Sequence, residues 1–587
     1  VIRGRVKQFF DWRLVHRLLP YIRRHPLLLI SAAVCTVLAQ VCLVTMPLLI
    51  KYAIDRAVGQ EDTERLLLYV VASSLVLALS FGAQFLAALS VEVLGQKLLK
   101  AVRMDLYAKV LSLSRDYFDK TPTGDTLTNV TNDVEALRQF LSEGIVTVIG
   151  QLLLLLLIVI YMLIINVQLS VFALLTVPFF LLAMAVFRRV IRRGYEGVRK
   201  ANADINATMV ESVNGIREIQ LFTHEPIVSG RFRRHNTNYV QSFLRIVFSY
   251  ALFFPVIDLS TYVSMFLILG YGYLSLGQGV GEGDIIAFFA YMAMFFRPLR
   301  HLAEKFNTFQ SAMAAMGRIV RLLERTPAIT SPSSPVRQSK GSMPEVFFDD
   351  VHFAYQPGEP VLRGVRFSIS PGEKVAIVGH TGAGKSTIIA LLNRLYDIQS
   401  GSIRIGGTDI RQWDVSALRR TVATVTQDTF LFAGSIYDNI RLFDRSIPLD
   451  RVEEAARVVG AHRFIRDLPD GYDHKVLEEG RSLSAGERQL VAFARALVHD
   501  GSILVLDEAT ANIDAQSESL IETAMDRLVH RRTSIIIAHR LATVQRADRI
   551  LVLHRGAVAE EGDHDTLIAR AGIYARLYEM QSLALNS

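Results

Sequence analysis

The sequence predicts a multi-domain chain: an all-α domain of six transmembrane helices, followed by an α/β domain built on a parallel sheet. Three observations predict it. The 587 residues exceed one core, because single domains usually hold roughly 100–200 residues. Long apolar stretches fill the first half of the chain and stop near residue 300. Past Glu345, short β-branched runs alternate with helical stretches. Composition agrees with a membrane chain. Hydrophobic residues make up 51% and charged residues 20%, against about 25% charge in a soluble globular chain. So apolar a chain buries surface, which excludes disorder. Two cysteines, Cys35 and Cys42, make neither a disulfide framework nor a four-ligand zinc site. A net charge of +8 raises nucleic acid as a partner, but the placement of the charge points to a membrane and to no nucleic acid.

Residues 1–26 carry seven Lys/Arg against one acid, Asp11. Phe9, Phe10, Trp12, Leu14, Leu18, Leu19 and Tyr21 interleave with them, as in an amphipathic helix lying on the inner membrane interface. The domain at 27–325 follows. Its stretches 27–50, 66–91, 145–165, 169–187 and 246–276 are almost free of charge, and about 20 apolar residues span a bilayer. A sixth span must run through Ile285–Phe296 and include Arg297 and Arg300. Charge sets the orientation. The segment 188–245 holds eleven Lys/Arg, whereas 55–65, 165–168 and 277–284 hold two, none and none. Positive loops stay inside, so the N-terminus is cytoplasmic. An even number of spans returns the C-terminal half to the same side. The stretch 27–50 is too long for a signal peptide.

Residues 92–144 and 188–245 are long, polar and helical in period, so spans continue well past the membrane. Tyr117–Gly124 and Asn214-Gly215 break them and are candidate contact points for a cytoplasmic domain. Asp258 is the one acid inside the fifth stretch. It costs roughly 2.5–3.5 kcal/mol there and is expected to face the bundle interior or water. Gln40, Gln84, Gln151 and Arg297 interrupt other spans. Aromatics crowd the last two: Phe253, Phe254, Tyr262, Phe266, Phe288, Phe289, Tyr291, Phe295 and Phe296. They read either as a cavity wall or, for any single ring, more simply as helix packing and lipid contact. Cys35 and Cys42 read as packing residues. Residues 326–344, rich in Ser and Pro, read as a linker.

The domain at 345–587 carries the chemistry. Val375–Val378, Ile503–Leu506, Ser534–Ala538 and Arg549–Leu553 read as buried parallel strands. Gly379-His380-Thr381-Gly382-Ala383-Gly384-Lys385-Ser386 fits G-x-x-x-x-G-K-[ST] between a strand and an apolar helix from Thr387. In such a loop the backbone N–H groups wrap phosphates and the helix N-terminus adds a favourable dipole. Lys385 is then placed on the β- and γ-phosphates, with Ser386 on Mg²⁺. Ile503-Leu504-Val505-Leu506-Asp507-Glu508 ends an apolar strand in two carboxylates. Asp507 is placed to hold Mg²⁺ and Glu508 to orient and deprotonate water.

Leu483-Ser484-Ala485-Gly486-Glu487 completes a pattern. From Val346 to about Gln581 the chain resembles the nucleotide-binding domain of ATP-binding cassette (ABC) transporters. With the six spans it resembles an exporter-type half-transporter, multidrug- or lipid-exporter-like. The resemblance covers nearly the whole chain and implies a transmembrane domain followed by an α/β P-loop NTPase, the ABC ATPase. It also implies roles for individual residues. Tyr355 matches the aromatic that stacks on adenine. Gln427 matches the glutamine that senses Mg²⁺, Asp514 the aspartate at the dimer seam and His539 the histidine on the γ-phosphate. The loop Gly379, Thr381, Gly382, Ala383, Gly384, Lys385, Ser386 and Thr387 binds ATP in one chain. Ser484 and Gly486 complete that site from the other chain, so the cofactors are ATP and Mg²⁺ and the assembly is a dimer. The usual signature is Leu-Ser-Gly-Gly-Gln, and here Ala485 and Glu487 depart from it. That fits the catalytically intact member of a heterodimer, and also a homodimer with a tolerated variant, the reading that the surviving Ser484 and Gly486 favour.

The implied activity is ATP-driven export or flipping of a lipid, drug or other amphipathic compound by alternating access, in a bilayer expected to be a bacterial inner membrane. An ATP-gated channel that hydrolyses little is the competing class, and the complete motif set with Glu508 disfavours it. A peptide exporter that cleaves its cargo needs an added N-terminal protease domain, and 26 residues precede the first expected span.

Overall fold

A computed structural model of the chain describes residues 12–58, 61–140, 146–304, 306–336, 343–477, 480–507, 515–530, 532–538 and 541–586. The chain divides into two compact units, Val1–Leu111 with Thr123–Arg325 and Ser112–Pro122 with Thr326–Ser587.

The first unit is helical. Among the described residues, Pro26–Val58, Thr63–Ser112, Val146–Ile165, Val167–Asn214 and Glu225–Leu274 are long and apolar enough to cross a membrane. The sixth expected segment lies in the helix Glu282–Glu304. Thr63–Ser112 and Glu225–Leu274 each hold 50 residues. At 1.5 Å per residue that is about 75 Å, more than twice a hydrocarbon core of about 30 Å. The polar halves of both helices therefore extend beyond any bilayer the apolar halves occupy. Gly215 closes the helix Val177–Asn214, as the Asn-Gly pair predicts. The helix Trp12–Arg23 is tied down by Tyr21 Oη, which donates to Asp105 Oδ2 at 2.7 Å, and by Arg17 against Glu324. Phe9 and Phe10 lie outside the described residues.

The core of this unit decides between the two readings of its aromatics. Phe253, Phe288, Tyr291, Phe295 and Phe296 are buried against Val44, Ile158, Phe180 and Met292. Tyr291 Oη donates to Val44 O at 2.9 Å. These rings are helix packing, as is the buried Cys42. Tyr262 and Phe266 are exposed, as are Asp258 and Arg297 within this single chain. A group that sequence reasoning passed over sits at the start of Glu282–Glu304. Lys51 Nζ lies 2.7 Å from Asp284 Oδ1 and 3.3 Å from Asp55 Oδ2. The Gly283 N–H donates to Asp55 Oδ1 at 2.9 Å. Lys51 offsets part of the charge of the two carboxylates, and the N–H groups of Gly281 and Gly283 satisfy their other oxygens.

The second unit is built on a six-stranded sheet in the order Ala557–Gly562, Arg549–His554, Lys374–Val378, Thr533–Ile537, Ile503–Asp507, Val422–Val425. All pairings are parallel except that of Ala557–Gly562, which is antiparallel. The unbroken apolar runs have a direct cause. Successive residues of a strand face opposite sides, and both sides are cores here. Ala376, Val378, Leu504, Leu506, Ile536, Ile550 and Val552 pack with the helical layer. Val375, Ile377, Ile503, Val505, Ile535, Ile537, Leu551 and Leu553 pack with a second layer. That second layer is an antiparallel sheet of Leu362–Ile369, Val346–Phe353, Ser400–Ile405 and Thr408–Asp409. Its strands alternate with polar residues and carry register shifts near Phe348 and Val351, which is why they escape a search for apolar runs.

Two segments from outside the expected ATPase domain are docked in this unit, the stretch read as a linker and the helix at the break read as a contact point for a cytoplasmic domain. Val336 bridges to Trp413, and the Ser331 hydroxyl donates to Asp414 Oδ1 and accepts from the Val415 N–H. The helix Arg115–Lys120 belongs here as well. Its Asp119 accepts from Tyr396 Oη and pairs with Arg115 at 2.9 Å.

Candidate nucleotide site

The loop Gly379–Ser386 leaves the C-terminal edge of the strand Lys374–Val378, between Arg549–His554 and Thr533–Ile537. Ligands of open α/β sheets bind at that edge. Two glycines are required, Gly379 by contact with backbone and Gly384 by its left-handed φ. A Cβ on Gly379 would lie 2.3 Å from Leu553 O, and one on Gly384, at φ +106°, would lie 2.6 Å from Leu362 Cδ2. Gly384 caps the helix Lys385–Leu392, whose first N–H groups face the loop. The Ala383 N–H donates back to His380 O at 3.1 Å, while Thr381 and Gly382 are exposed on the rim.

Lys385 is buried, yet its Nζ donates to Gly379 O at 2.6 Å and His380 O at 3.2 Å. The ammonium is thus folded over the loop by the loop's own carbonyls. Burial lowers its pKa, and the nearby Asp507 carboxylate opposes that shift. Ser386 is exposed, and Thr387 is buried with its hydroxyl accepting from Tyr355 Oη at 3.2 Å. Tyr355 stands edge-on to Phe353 at 4.8 Å and to Tyr396 at 5.1 Å. It keeps 42% of its surface open, enough for one ring face to take a flat base.

The register gathers the other groups on the same edge. Ile537 pairs with both Ile377 and Asp507, so Asp507 lies in the row two residues before Gly379. Two strand spacings separate them, about 10 Å. Val425 pairs with Leu506, so the exposed Gln427 leaves that edge beside Asp507. A Ser hydroxyl, a carboxylate and an amide oxygen are hard donors of the kind Mg²⁺ takes. Glu508, Asp514 and His539 lie outside the described residues.

Ser484 opens the helix Ala485–His499. Its Oγ accepts from the Glu487 N–H at 3.3 Å, and Glu487 Oε2 accepts from the Ser484 N–H at 2.8 Å. This reciprocal cap satisfies two N–H groups that a helix start leaves open. It gives the unusual Glu487 a local partner, so its carboxylate is turned back onto its own helix. Gly486 is buried beneath it. A glutamine carbonyl accepts the same N–H. Glu487→Gln is therefore expected to hold the melting temperature within about 2 °C and to lower the KM for ATP by removing a negative charge. A threefold rise in KM would give the acid a direct part in binding.

Sequence reasoning missed two residues of this domain. Tyr396 carries no motif and is recognisable only through its contact with Tyr355. Arg495 did leave a signal, as a lone cation within the apolar run Leu490–Val498.

Comparison with known proteins matches residues 29–299 to the ABC transporter transmembrane region and residues 362–511 to the ABC transporter domain. An uncharacterized ABC transporter ATP-binding protein of Bacillus subtilis, YknV, is 34% identical over 98% of this chain and 96% of its own length. An ATP-dependent lipid A-core flippase of Syntrophus aciditrophicus is 32% identical over 96% of this chain and 94% of its own. The solved structure of a bacterial Atm1-family ABC exporter with ATP bound superposes with a TM-score of 0.78 at 28% identity. That match covers 95% of this chain and 98% of the exporter.

Proposed function

The chain belongs to the ABC transporter family, and on that premise we propose that it exports or flips a lipid, drug or other amphipathic compound across a bacterial inner membrane by alternating access of a dimer. It is a multi-pass membrane protein of the exporter type that binds ATP and couples its hydrolysis to transport. The observation that carries the reading is the glycine cradle with Lys385 folded over it, on the sheet edge that Asp507 shares. The lipid A-core flippase among the relatives supports a lipid-like cargo.

In this reading Tyr355 takes adenine. Gly379, Thr381, Gly382, Ala383 and Gly384 wrap the phosphates together with Lys385 and Thr387, the Ala383 N–H closing the loop's own turn on His380 O. Ser386, Asp507 and Gln427 would hold Mg²⁺, which when bound would neutralise charge on the phosphates. Glu508 takes the proton of the attacking water, and His539 steadies the γ-phosphate. Exporters of this half-transporter type dimerise. Ser484 and Gly486 then offer their hydroxyl and N–H to the partner's ATP, and Asp514 lies at the seam. The capping geometry supports this, because Ser484 Oγ accepts within its own helix and keeps its proton to donate outward. The N-terminus and the ATPase domain are cytoplasmic by the charge of the loops.

We favour a homodimer, because Ser484 and Gly486 are retained. The departures at Ala485 and Glu487 support a second reading, the catalytic member of a heterodimer. ATPase activity of the purified chain alone, in lipid nanodiscs, separates them. Turnover well above a Glu508→Gln blank is expected. A chain that binds ATP but does not turn it over sinks the homodimer.

A further inference from the structure

We infer that Arg495 is a positioning residue, fastening the loop behind Gln427 to the helix that Ser484 opens. The inference rests on the roles proposed for those two residues and assigns what holds them in one register.

Arg495 lies eleven residues past Ser484 on the helix Ala485–His499, about 16 Å along one rigid rod. Its side chain is half-buried beside the helical layer. Nε donates to Asn439 O at 3.0 Å and Nη1 donates to Phe430 O at 3.2 Å. Phe430 stands three residues after Gln427. Asn439 is fully buried and closes the same turn. Its Nδ2 donates to Phe432 O at 2.8 Å and Ser435 O at 3.1 Å, and its Oδ1 accepts from the Phe432 N–H at 2.8 Å. Hydrogen bonds thus run unbroken from the Gln427 loop through Asn439 and Arg495 into the Ser484 helix.

The choice of residue is telling. Among the described residues Arg495 makes no ion pair, and its Nη2 is buried without a hydrogen-bond partner. Burial pushes its pKa down to about 10, so it is still charged at neutral pH. Even a half-buried cation without a counter-charge is costly, and packing alone would be served by methionine. What the planar fork supplies is two separate nitrogens in fixed geometry, Nε and Nη1, each on its own carbonyl, the two carbonyls lying nine residues apart in sequence. A lysine keeps the charge but offers a single nitrogen on a differently shaped stem, so it cannot place both donors as the fork does.

The test uses the full chain in nanodiscs. Turnover is measured for Arg495→Lys, Gln427→Ala and the double variant, with hydrogen exchange of the 426–439 amides. Arg495→Gln, which keeps one donor group without the charge, is the second variant should Arg495→Lys fold poorly. Arg495→Lys is expected to lower kcat at least tenfold and to speed exchange across 426–439, with 385–392 unchanged. The double variant is expected to be no slower than the slower single one. Unchanged exchange at 426–439 overturns the inference. So do multiplicative losses in kcat, because two residues acting through one another do not add independently. The half-saturating Mg²⁺ of Gln427→Ala tests the underlying reading separately. If it does not rise, Gln427 is not a metal ligand, while the kcat cycle still decides Arg495.

Discussion

Glu508→Gln is expected to bind ATP with unaltered affinity and to hydrolyse it about 100- to 10,000-fold more slowly, the usual worth of a positioned general base. The residue directly follows Asp507, the last residue of a strand whose side chains are otherwise buried. That strand end shares its edge with the phosphate loop. The amide keeps size and hydrogen bonding but cannot accept a proton. The loss must therefore fall on kcat, with binding of a fluorescent ATP analogue unchanged. A dimer stable in ATP should accumulate, visible by size-exclusion chromatography. Hydrolysis at near the unmodified rate would remove Glu508 as the base.

Lys385→Ala is expected to fail differently. A charge-assisted hydrogen bond to phosphate contributes about 1.5–3 kcal/mol, which is roughly 10- to 150-fold in affinity. The buried Nζ already sits over the loop, held by Gly379 O and His380 O, so little motion is needed to meet a phosphate. The alanine variant should raise the Kd for ATP by that factor and lose turnover with it. Calorimetric titration with ATP reads the first effect directly. An unchanged Kd would mean that Lys385 serves only to hold the loop's shape. The two variants thus separate binding from chemistry, one failing before the nucleotide is seated and the other after.

The nucleotide site was legible because its chemistry is local. A glycine cradle, its lysine and the strand before it are neighbours in sequence, and the strand ends at Val378 and Asp507 follow from apolar runs walled on both sides. The antiparallel layer was not legible, since its half-polar strands and register shifts lack such runs. Nor was the fate of the membrane-side aromatics. Phe288 and Tyr291 are as apolar in sequence as Phe266, and only the packing of helices around Val44 and Phe180 buries the first two and leaves the third open. The Lys51–Asp284 pair joins residues more than two hundred positions apart, a distance over which sequence alone carries no contact signal. Glu487 shows the opposite case. It reads as a departure from a motif, and its local hydrogen bond makes it an ordinary helix cap.

The docked stretch before the ATPase domain has a practical consequence for anyone wishing to isolate that domain. Ser331 and Val336 lie upstream of the first strand, in a segment whose composition invites cutting. A truncation that begins at Glu345 would remove the hydroxyl that meets Asp414 and the backbone partner of Trp413, a fully buried ring. A boundary at Thr326 keeps both. A truncated protein that proves unstable would then be reporting where it was severed, not whether the ATPase fold can stand alone.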